Sequence, residues 1–397
     1  MATTSTLAPR TFEDAAAALA AATEEGRTVR IVGAGTKLGW GSGDIAADME
    51  LHTTALDELV AHDAGDLTAT LQAGVPLELA QRTFAAAGQM LALDPPLHPA
   101  GGDSEPADSG PADTAPAGPT IGGVVATGDA GPLRHRYGAP RDLVIGATVA
   151  LSDGTIAQAG GKVIKNVAGY DLAKLFSGAF GTLGLILSVN VRLHPLHETS
   201  VTALGAASDP DVLGAAAVAM ARAPLEFEAL DVAWKAGRGG LLARCAGPEA
   251  TRRAHRAARL MGDAGLTEVD VTDHDGQLWE RQRAGQRSSD QALLRVAAPP
   301  TELTAVLRAA DACDGTLVGR AALGASFVEV APDTVGRLRG ALPRTARPVL
   351  LDAPAAMRTA AEPWGTHEGP ELELMRRIKA RFDPARTCNP GLFVGGI

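Results

Sequence analysis

Three glycine-rich segments lie in the first half of this 397-residue chain and limit what it can fold into. They are GAGTKLGWGSG at 33–43, TIGGVVATG at 120–128 and SGAFGTLG at 177–184. The first follows TVRIV at 28–32, whose β-branched residues predict a strand. Because glycine adopts positive φ and lets the backbone approach a ligand closely, successive amides in such loops can surround an anion. Together the three segments predict a cleft for a large polar cofactor rather than for a small metabolite.

Two familiar phosphate-binding motifs do not fit the first segment. Gly33, Gly35 and Gly39 give G-x-G-x-x-x-G, whereas the Rossmann fingerprint is G-x-G-x-x-G at the start of a helix. The following residues, WGSGD, hold too many glycines to continue as a helix. No G-K-[ST] sequence occurs, so a Walker A loop is excluded. The remaining interpretations are a backbone nest or, for this loop taken alone, an ordinary tight turn.

Composition and charge narrow the class of protein. With 46% hydrophobic and 21% charged residues, the chain is expected to be a soluble globular protein with two domains. Its net charge of -10 argues against nucleic acid or an anionic membrane as the main partner. The amino-terminal alanine-rich run reads as a helix rather than a signal peptide, and no run approaches a membrane span. We therefore expect a cytoplasmic protein that reaches the inner face of a membrane only through partners.

Metal and cluster sites are not indicated. Cys245, Cys313 and Cys388 lie far apart without a C-x-x-C pair, which excludes a thiolate zinc or iron–sulfur site. His194 and His197 flank Pro195 as an i, i+3 pair, but no further ligand is near in sequence. A turn at a domain boundary is the favoured alternative for these two histidines.

Local patterns predict most of the elements before residue 195. Thr11 and Asp14 resemble a capping box before a helix that ends at Gly26. We expect strands at MELH and LTATLQAG, a helix at LDELVAHD between them, and a helix at VPLELAQRTFAAAG. A hairpin turns at 152–154, a short helix covers about 170–177, and a strand covers 185–193. Residues 201–360 mix helical and strand-like pieces, which suggests a separate α+β domain.

The segment 99–119 interrupts this order. It consists almost entirely of Pro, Ala, Gly, Asp and Ser, with no aliphatic side chain larger than alanine. Such a composition cannot bury a core, so we interpret it as a surface insertion that is disordered, after which TIGG restarts the fold.

Four blocks of the chain resemble one family. RIVGAGTKLGWG, PTIGGVVATGDAGPLRHRYGAPRDLVIG, GGKVIKNVAGYDLAKLFSGAFGTLG and FDPARTCNPGLF are similar to the flavin-binding fold of vanillyl-alcohol oxidase and p-cresol methylhydroxylase (PCMH), and within it to FAD-binding subunits of glycolate oxidase. The resemblance covers about 10–195 and the last 30 residues. It implies an α+β fold: a two-lobed PCMH-type FAD-binding domain at 1–195, an α+β cap domain at 196–365, and a segment at 366–397 that returns to the FAD domain.

The resemblance also implies a set of cofactor contacts. The first loop would contact the FAD pyrophosphate, the second segment would follow the cofactor toward the flavin, and the third would lie by the ribose and adenine, with the Asn-Pro-Gly turn near the flavin ring. These residues are, in chain order, Gly33, Ala34, Gly35, Thr36, Lys37, Leu38, Thr120, Gly122, Gly123, Thr127, Gly128, Gly181, Gly184, Ile186 and Asn389. Thr36 stands where covalent members carry a histidine, so non-covalent FAD is implied. Leu392 replaces a lysine that often follows the Asn-Pro-Gly turn.

The implied function is that of the FAD-binding subunit of a glycolate or other 2-hydroxyacid oxidase complex. Electrons would pass from the hydroxyacid through the flavin to an iron–sulfur subunit, beside a second flavoprotein subunit. The metal-binding H-x-G-D-G-N block of the catalytic relatives does not occur here. Two alternatives stay open: a stand-alone FAD oxidase of another alcohol or hydroxyacid, and a non-catalytic flavin relay.

Candidate catalytic groups remain unassigned. Lys165, Tyr170 and Asp171 could act in acid–base chemistry, but capping and packing at a helix start explain the Tyr and Asp better. The basic cluster Arg134, His135 and Arg136 could meet a carboxylate substrate or an acidic partner, with a solvated loop as the favoured alternative.

Overall fold

The computed structural model describes residues 4–43, 45–97, 118–162, 171–358, 362–365, 367 and 369–397. The predicted insertion at 99–119 lies outside these residues except for its last two positions. Lys165 and Tyr170 also lie outside them.

The strands fall into two groups along the chain, before and after residue 198. They are β1 Ser5–Leu7, β2 Val29–Val32, β3 Met49–His52, β4 Leu59–Asp63, β5 Thr68–Gln72, β6 Gln89–Met90, β7 Val144–Ala150, β8 Ile156–Gly160, β9 Leu185–Arg192, β10 His194–Pro195, β11 Ser200–Ala207, β12 Ala229–Lys235, β13 Arg238–Ala246, β14 Thr267–Thr272, β15 Ala292–Ala297, β16 Thr316–Arg320, β17 Ala325–Val330 and β18 Arg347–Asp352.

The helices are mostly short. They are α1 Phe12–Glu24, α2 Leu77–Ala85, α3 Ile121–Thr127, α4 Arg134–Tyr137, α5 Pro140–Leu143, α6 Ala173–Phe176, α7 Pro210–Arg222, α8 Ala250–Asp263, α9 Gly276–Ala284, α10 Leu303–Asp311, α11 Val335–Ala341, α12 Ala355–Arg358 and α13 Pro370–Phe382.

Three main sheets organise these strands into an α+β fold, as predicted. A parallel sheet has the order β1-β3-β2, and an antiparallel sheet has the order β4-β5-β9-β7-β8. A larger antiparallel sheet follows with the order β14-β11-β13-β12-β16-β17-β15-β18. The short pair β10-β6 connects the start of the second half back to the first half.

Helices cover these sheets through separate apolar cores. Helices α7, α8, α10 and α11 bury the apolar face of the eight-stranded sheet, around side chains such as Trp234 and Leu307. Helices α2 and α3 cover the five-stranded sheet, with Phe84 and Ile121 fully buried. An aromatic cluster that includes Trp40, Phe180 and Trp364 also contains residues of β15, β17 and β18, so it joins the first half to the larger sheet.

The first helix confirms Thr11 as the N-cap, which is one half of the predicted capping box. The Thr11 hydroxyl accepts a hydrogen bond from the backbone N–H of Asp14 at 3.1 Å. The helix ends at Glu24, and Gly26 follows with a φ of 67°. The strand β2 begins three residues later, so the glycine-rich segment at 33–43 follows a strand as expected.

The predicted helix at LDELVAHD is wrong. Its second half is β4, which pairs antiparallel with β5. The carboxylate of Asp63 accepts hydrogen bonds from the N–H groups of Gly65 and Asp66, which fixes the turn between the two strands. Pairing with a neighbouring strand outweighs the helical spacing of so short a segment. Similarly, α6 covers only four residues of the helix expected over about 170–177.

A buried ion pair fixes the segment that follows the larger sheet. The ammonium of Lys379 in α13 donates to the Asp383 carboxylate at 2.6 Å and to the carbonyls of Thr182 and Cys388. The same carboxylate accepts from the N–H groups of Thr387 and Cys388. Both charged side chains are at most 5% exposed, and the hydrogen bonds use their remaining donors and lone pairs.

We predict that Lys379→Met lowers the free energy of unfolding by about 3–5 kcal/mol, because it leaves a buried carboxylate without its partner. Urea unfolding followed by circular dichroism measures the change. The matched control is Arg82→Ala, which removes an exposed i,i+4 pair with Glu78 and is expected to cost about 0.3–0.5 kcal/mol. Equal effects of the two variants would contradict a structural role for the Lys379 pair.

Candidate cofactor cleft and adjoining chamber

One cleft brings together nearly all of the predicted cofactor residues. Its volume is about 830 Å3, including the open mouth. It is lined by every residue of the predicted set except Gly128, although these residues come from four distant parts of the chain. Arg30, Ile31, Thr53, Ala73, Ala126, Phe180, Leu185 and Leu392 complete its lining.

The first loop offers backbone donors to this cleft. The N–H groups of Ala34, Gly35, Thr36 and Lys37 have no hydrogen-bond acceptor among the described residues. Gly35 has a φ of 76°, a conformation that glycine adopts without strain. Four successive amides of this kind favour an anionic group, so this loop fits the pyrophosphate of a dinucleotide.

The second glycine segment differs from the loop that we predicted. It is the helix α3, with Thr120 as N-cap, whose hydroxyl accepts from the N–H of Gly123 at 3.2 Å. A Cβ on Gly122 would lie 2.7 Å from the Cβ of Ala73, and a Cβ on Gly33 would lie 2.6 Å from the Thr120 hydroxyl. Gly33 and Gly122 therefore permit the first loop, the chain after β5 and the start of α3 to pack closely. This packing role differs from the anion-binding loop that we predicted at 120–128.

The third segment meets the Asn-Pro-Gly turn. The Asn389 side chain accepts from the N–H of Ile31 at 2.8 Å and donates to the Phe180 carbonyl at 2.7 Å. Gly181 has a φ of 70°, and a Cβ there would lie 2.7 Å from Nδ2 of Asn389. Asn389 thus lines the cleft while its amide holds two other cleft-forming segments in place.

Buried charges surround Trp40 at one end of the first loop. The Asp129 carboxylate bonds the Arg287 guanidinium and lies 3.4 Å from the Lys37 ammonium. The Arg287 guanidinium lies over the Trp40 ring, 4.6 Å from its centroid, and the indole N–H donates to Asp352.

These contacts change the ionisation of the buried groups. Burial lowers the pKa of Lys37. Burial alone would raise the pKa of Asp129, but Arg287 and Lys37 outweigh it and hold that pKa below its ordinary value. Sequence patterns did not identify Asp129 or Arg287 as site residues; the only signal for Asp129 is its place directly after Gly128.

A second, smaller chamber lies close to the cleft, because Lys37 of the cleft is 3.4 Å from Asp129 of the chamber. Its volume is about 350 Å3, open space included, and Gly128 lines it. Its other lining residues come from the first loop, the residues after α3, α4 and the eight-stranded sheet: Trp40, Asp129, Ala130, Arg134, Arg295, Arg320, Ala325, Phe327 and Leu351. The chamber therefore lies where the two halves of the fold meet, and three of its side chains are guanidinium groups.

The structure separates the three members of the predicted basic cluster. Arg134 lines the chamber, and Arg136 is exposed. His135 is half-buried, and its buried Nδ1 has no partner among the described residues. The favoured alternative of a solvated loop therefore describes only Arg136. Arg295 and Arg320 were missed, because nothing in their strands distinguishes them from ordinary surface arginines.

The remaining candidates lie apart from the cleft. Asp171 forms an ion pair with Lys174 at 2.8 Å near the surface. The His194 ring packs against the Tyr137 ring at 4.6 Å, and His197 lies against Gly247. In the described parts of the chain, no three His, Cys, Asp or Glu side chains are grouped to hold a metal ion.

Two segments of the chain match models of known protein families. Residues 4–102 match the model of the FAD binding domain, and residues 360–392 match that of the FAD linked oxidases, C-terminal domain. These two segments are therefore similar to FAD-linked oxidases. The matches support FAD as the cofactor of the cleft.

Two curated relatives match part of the chain. Glycolate oxidase subunit GlcE of Escherichia coli (strain K12) is 35% identical over 36% of this chain and 36% of its own length. Glycolate oxidase subunit GlcD of Bacillus subtilis (strain 168) is 32% identical over 50% of this chain and 38% of its own length. The matches thus span little more than a third of these relatives.

A solved structure shows the fold of the whole chain. Alkyldihydroxyacetonephosphate synthase superposes with a TM-score of 0.67 over 97% of this chain and 75% of its own, at 11% identity. The predicted fold class, a PCMH-type FAD-binding domain with a cap domain, is confirmed. No helix in the described part of this chain is long and apolar enough to cross a bilayer.

We predict that Gly35→Val reduces flavin retention roughly tenfold or more, equivalent to about 1.4 kcal/mol. A β-branched residue is strained at a φ of 76°, so the amides of 34–37 would move out of position. The flavin-to-protein absorbance ratio after gel filtration measures this. The control is Gly336→Ala in α11, where an added Cβ meets nothing within 4 Å and flavin content should be unchanged. A folded Gly35→Val protein with full flavin content would rule out the loop as an anion site.

Proposed function

We propose that this chain is the non-covalent FAD-binding subunit of a 2-hydroxyacid oxidase or dehydrogenase. The observation that carries the proposal is the closeness of two spaces, a cleft with free backbone amides among the described residues and a chamber with three arginines. A dinucleotide cofactor and a small carboxylic acid are the ligands that such a pair of spaces would suit.

The residues present fit FAD. The amides of Ala34 to Lys37 would hold the pyrophosphate, and α3 and the turn at Gly181 would flank the rest of the cofactor. Thr36 stands where covalent members of the family carry the histidine that bonds the flavin. Its hydroxyl side chain supports non-covalent binding of FAD. When bound, FAD supplies a two-electron acceptor for the C–H bond of the substrate.

The arginines would bind the acid. Guanidinium groups form paired, charge-assisted hydrogen bonds with a carboxylate, which fixes both its position and its orientation. The apolar side chains of Trp40, Phe327 and Leu351 would exclude water from the rest of the chamber. The names of the two glycolate oxidase relatives favour a 2-hydroxyacid as this substrate.

Partners follow from the same relatives, which are named as subunits. We propose a second flavoprotein subunit and an iron–sulfur subunit that accepts the electrons, in a cytoplasmic complex at the inner membrane face. Cys245, Cys313 and Cys388 are separate, buried thiols, which supports a cluster on another chain. Within this chain we propose a flavin unit at 1–195, completed by 366–397, and a cap unit at 196–365.

A second candidate function is a stand-alone FAD oxidase. It is favoured by Arg295 and Arg320, because this chain supplies its own carboxylate-binding groups from the larger sheet. Under the first proposal, isolated protein bleaches slowly with hydroxyacids; under the second, bleaching is rapid without any partner.

We predict that the purified protein is yellow and releases stoichiometric FAD into the supernatant on acid precipitation, because Thr36 offers no covalent anchor. Anaerobic glycolate or lactate is then added to the protein alone and with candidate partners, while flavin absorbance is followed. Acceleration by a flavoprotein and an iron–sulfur partner is expected. Colourless protein that cannot be reconstituted with FAD would refute the proposal, and flavin that stays in the pellet would refute its non-covalent part.

A further inference from the structure

The strand β8 forms one edge of the five-stranded sheet. It stands at the end of the order β4-β5-β9-β7-β8, and among the described residues β7 is the only strand that pairs with it. Exposed and half-buried residues alternate along its whole length. An edge of this kind presents a row of backbone groups to which another strand can bond.

The hydrogen bonds of β8 to β7 leave half of its backbone groups unused. The N–H of Leu151 donates to the Thr155 carbonyl at one end of the hairpin, and the N–H of Gly161 donates to the Ile145 carbonyl at the other. Hydrogen-bonded pairs recur at every second residue of an antiparallel ladder, so the odd-numbered residues bond to β7. In the part of the chain that the structure describes, no other segment bonds the outward groups of the even-numbered residues, which are Ile156, Gln158 and Gly160.

The strand β8 lacks the features that usually protect an exposed edge. Such edges are commonly protected by charged residues, by proline, by a bulge or by a very short strand. The other edges of the two antiparallel sheets have at least one of these features: β4 has Asp63 and a register shift, β14 has Glu268 and Asp270, and β18 has Arg347 and Pro348. The sequence of β8 is IAQAG, without charge or proline, and its pairing with β7 has no register shift.

An apolar groove lies beside this edge. It is lined by Ala157 and Ala159 of β8, by Leu172 and Phe176 at α6, and by Phe382 at the end of α13. Leu172 is 39% exposed, so the groove reaches the surface. A strand that occupied the edge would therefore gain backbone hydrogen bonds and cover apolar side chains at the same time, as in other cases of strand addition.

Opposite charges stand at the two ends of the strand. Asp153 lies in the turn before β8, where its carboxylate accepts from the N–H of Thr155 at 2.9 Å, and Lys162 lies just beyond the end of β8. Both side chains belong to exposed residues. A second β8 in the antiparallel direction would bring Asp153 of each copy toward Lys162 of the other. A parallel copy would bring like charges together, which is unfavourable.

We propose that β8 is the interface of a two-fold dimer, in which β8 of a second copy of this chain pairs antiparallel with it. Only even-numbered residues have outward backbone groups, so they have to oppose one another. One register pairs all of them: Gln158 lies opposite Gln158 at the two-fold axis, and Ile156 lies opposite Gly160.

The symmetry of this pair explains why a second copy suits the surface. The axis is perpendicular to the joined sheet, so α6 of both copies lies on the same face of it. The two apolar grooves then meet across the axis, where Leu172 of each copy loses its exposure to water. In the same register Lys162 lies opposite Gly154, next to Asp153 of the other copy.

The oligomeric state of the flavin-loaded full chain tests the interface. Sedimentation velocity across a wide range of protein concentration is expected to show a dimer that dissociates on dilution. Gln158→Lys should weaken the dimer roughly tenfold or more, because two ammonium groups then oppose each other at the axis. The matched control is Val60→Lys, which adds the same charge to the exposed Val60 on β4, the other edge of this sheet, and should leave the dimer unchanged.

Normal flavin content in both variants is expected and shows that they fold. A wild-type chain that stays monomeric at every concentration would overturn the proposal. A Gln158→Lys protein that dimerises as strongly as the wild type would overturn it too, as would loss of the dimer in Val60→Lys alone.

Engineered cysteines test the register independently. The three natural cysteines are buried, so the wild-type chain should not cross-link under mild oxidation. Gln158→Cys is expected to give a disulfide-linked dimer on a non-reducing gel, because opposed Cα atoms in a hydrogen-bonded pair lie about 5.5 Å apart, within the range for a disulfide. Ile156→Cys is the control, since four residues of strand separate it from its counterpart by about 14 Å. Equal cross-linking of the two variants would refute this register.

Charge changes test whether the occupant is a second copy. Lys162→Glu should weaken the dimer roughly threefold, because carboxylates then meet at both ends of the paired strands. Asp153→Asn keeps an oxygen that accepts from Thr155, so the turn is preserved. It is expected to weaken the wild-type dimer but to strengthen the Lys162→Glu dimer. An effect of the same sign in both backgrounds would refute the antiparallel pairing of two copies.

Discussion

The side-chain amide of Asn389 joins three segments that are far apart in sequence. It accepts from the N–H of Ile31 at the end of β2 and donates to the carbonyl of Phe180 in the third glycine segment. Its own backbone N–H donates to the carbonyl of Val29. Because each of these segments lines the cleft, Asn389 holds walls together that come from distant parts of the chain. The buried Lys379–Asp383 pair supports this residue by fixing the chain just before it.

Close packing at glycine sets the shape of the same cleft. Gly33 approaches Thr120, and Gly122 approaches Ala73, at distances that leave no room for a Cβ. Gly35 has a positive φ without such a close neighbour, whereas Gly181 and Gly184 combine a positive φ with a neighbour 2.7 Å from the place of a Cβ. The glycines therefore have two physical roles, to give the backbone an unusual conformation and to let neighbouring segments come together, and Gly181 and Gly184 have both.

The cleft could be predicted from the sequence better than the chamber. Glycine clusters mark places where backbone is close to backbone or to a ligand, so the glycine pattern alone groups Gly33, Thr120 and Gly181 at one site. Arg295 and Arg320 line the same chamber because β15 pairs with β17 and β17 pairs with β16. No local sequence pattern reveals this strand pairing. The same limit explains β4, where pairing with β5 decided between a helix and a strand.

The tie through Asn389 also affects when the cleft can form during synthesis. Ile31 leaves the ribosome early, whereas Asn389 follows it by 358 residues. Until Asn389 has emerged, the walls at Ile31 and Phe180 lack the side chain that bonds to both of them. We therefore expect the cleft to be completed only near the end of synthesis, after the strands that line it have been made.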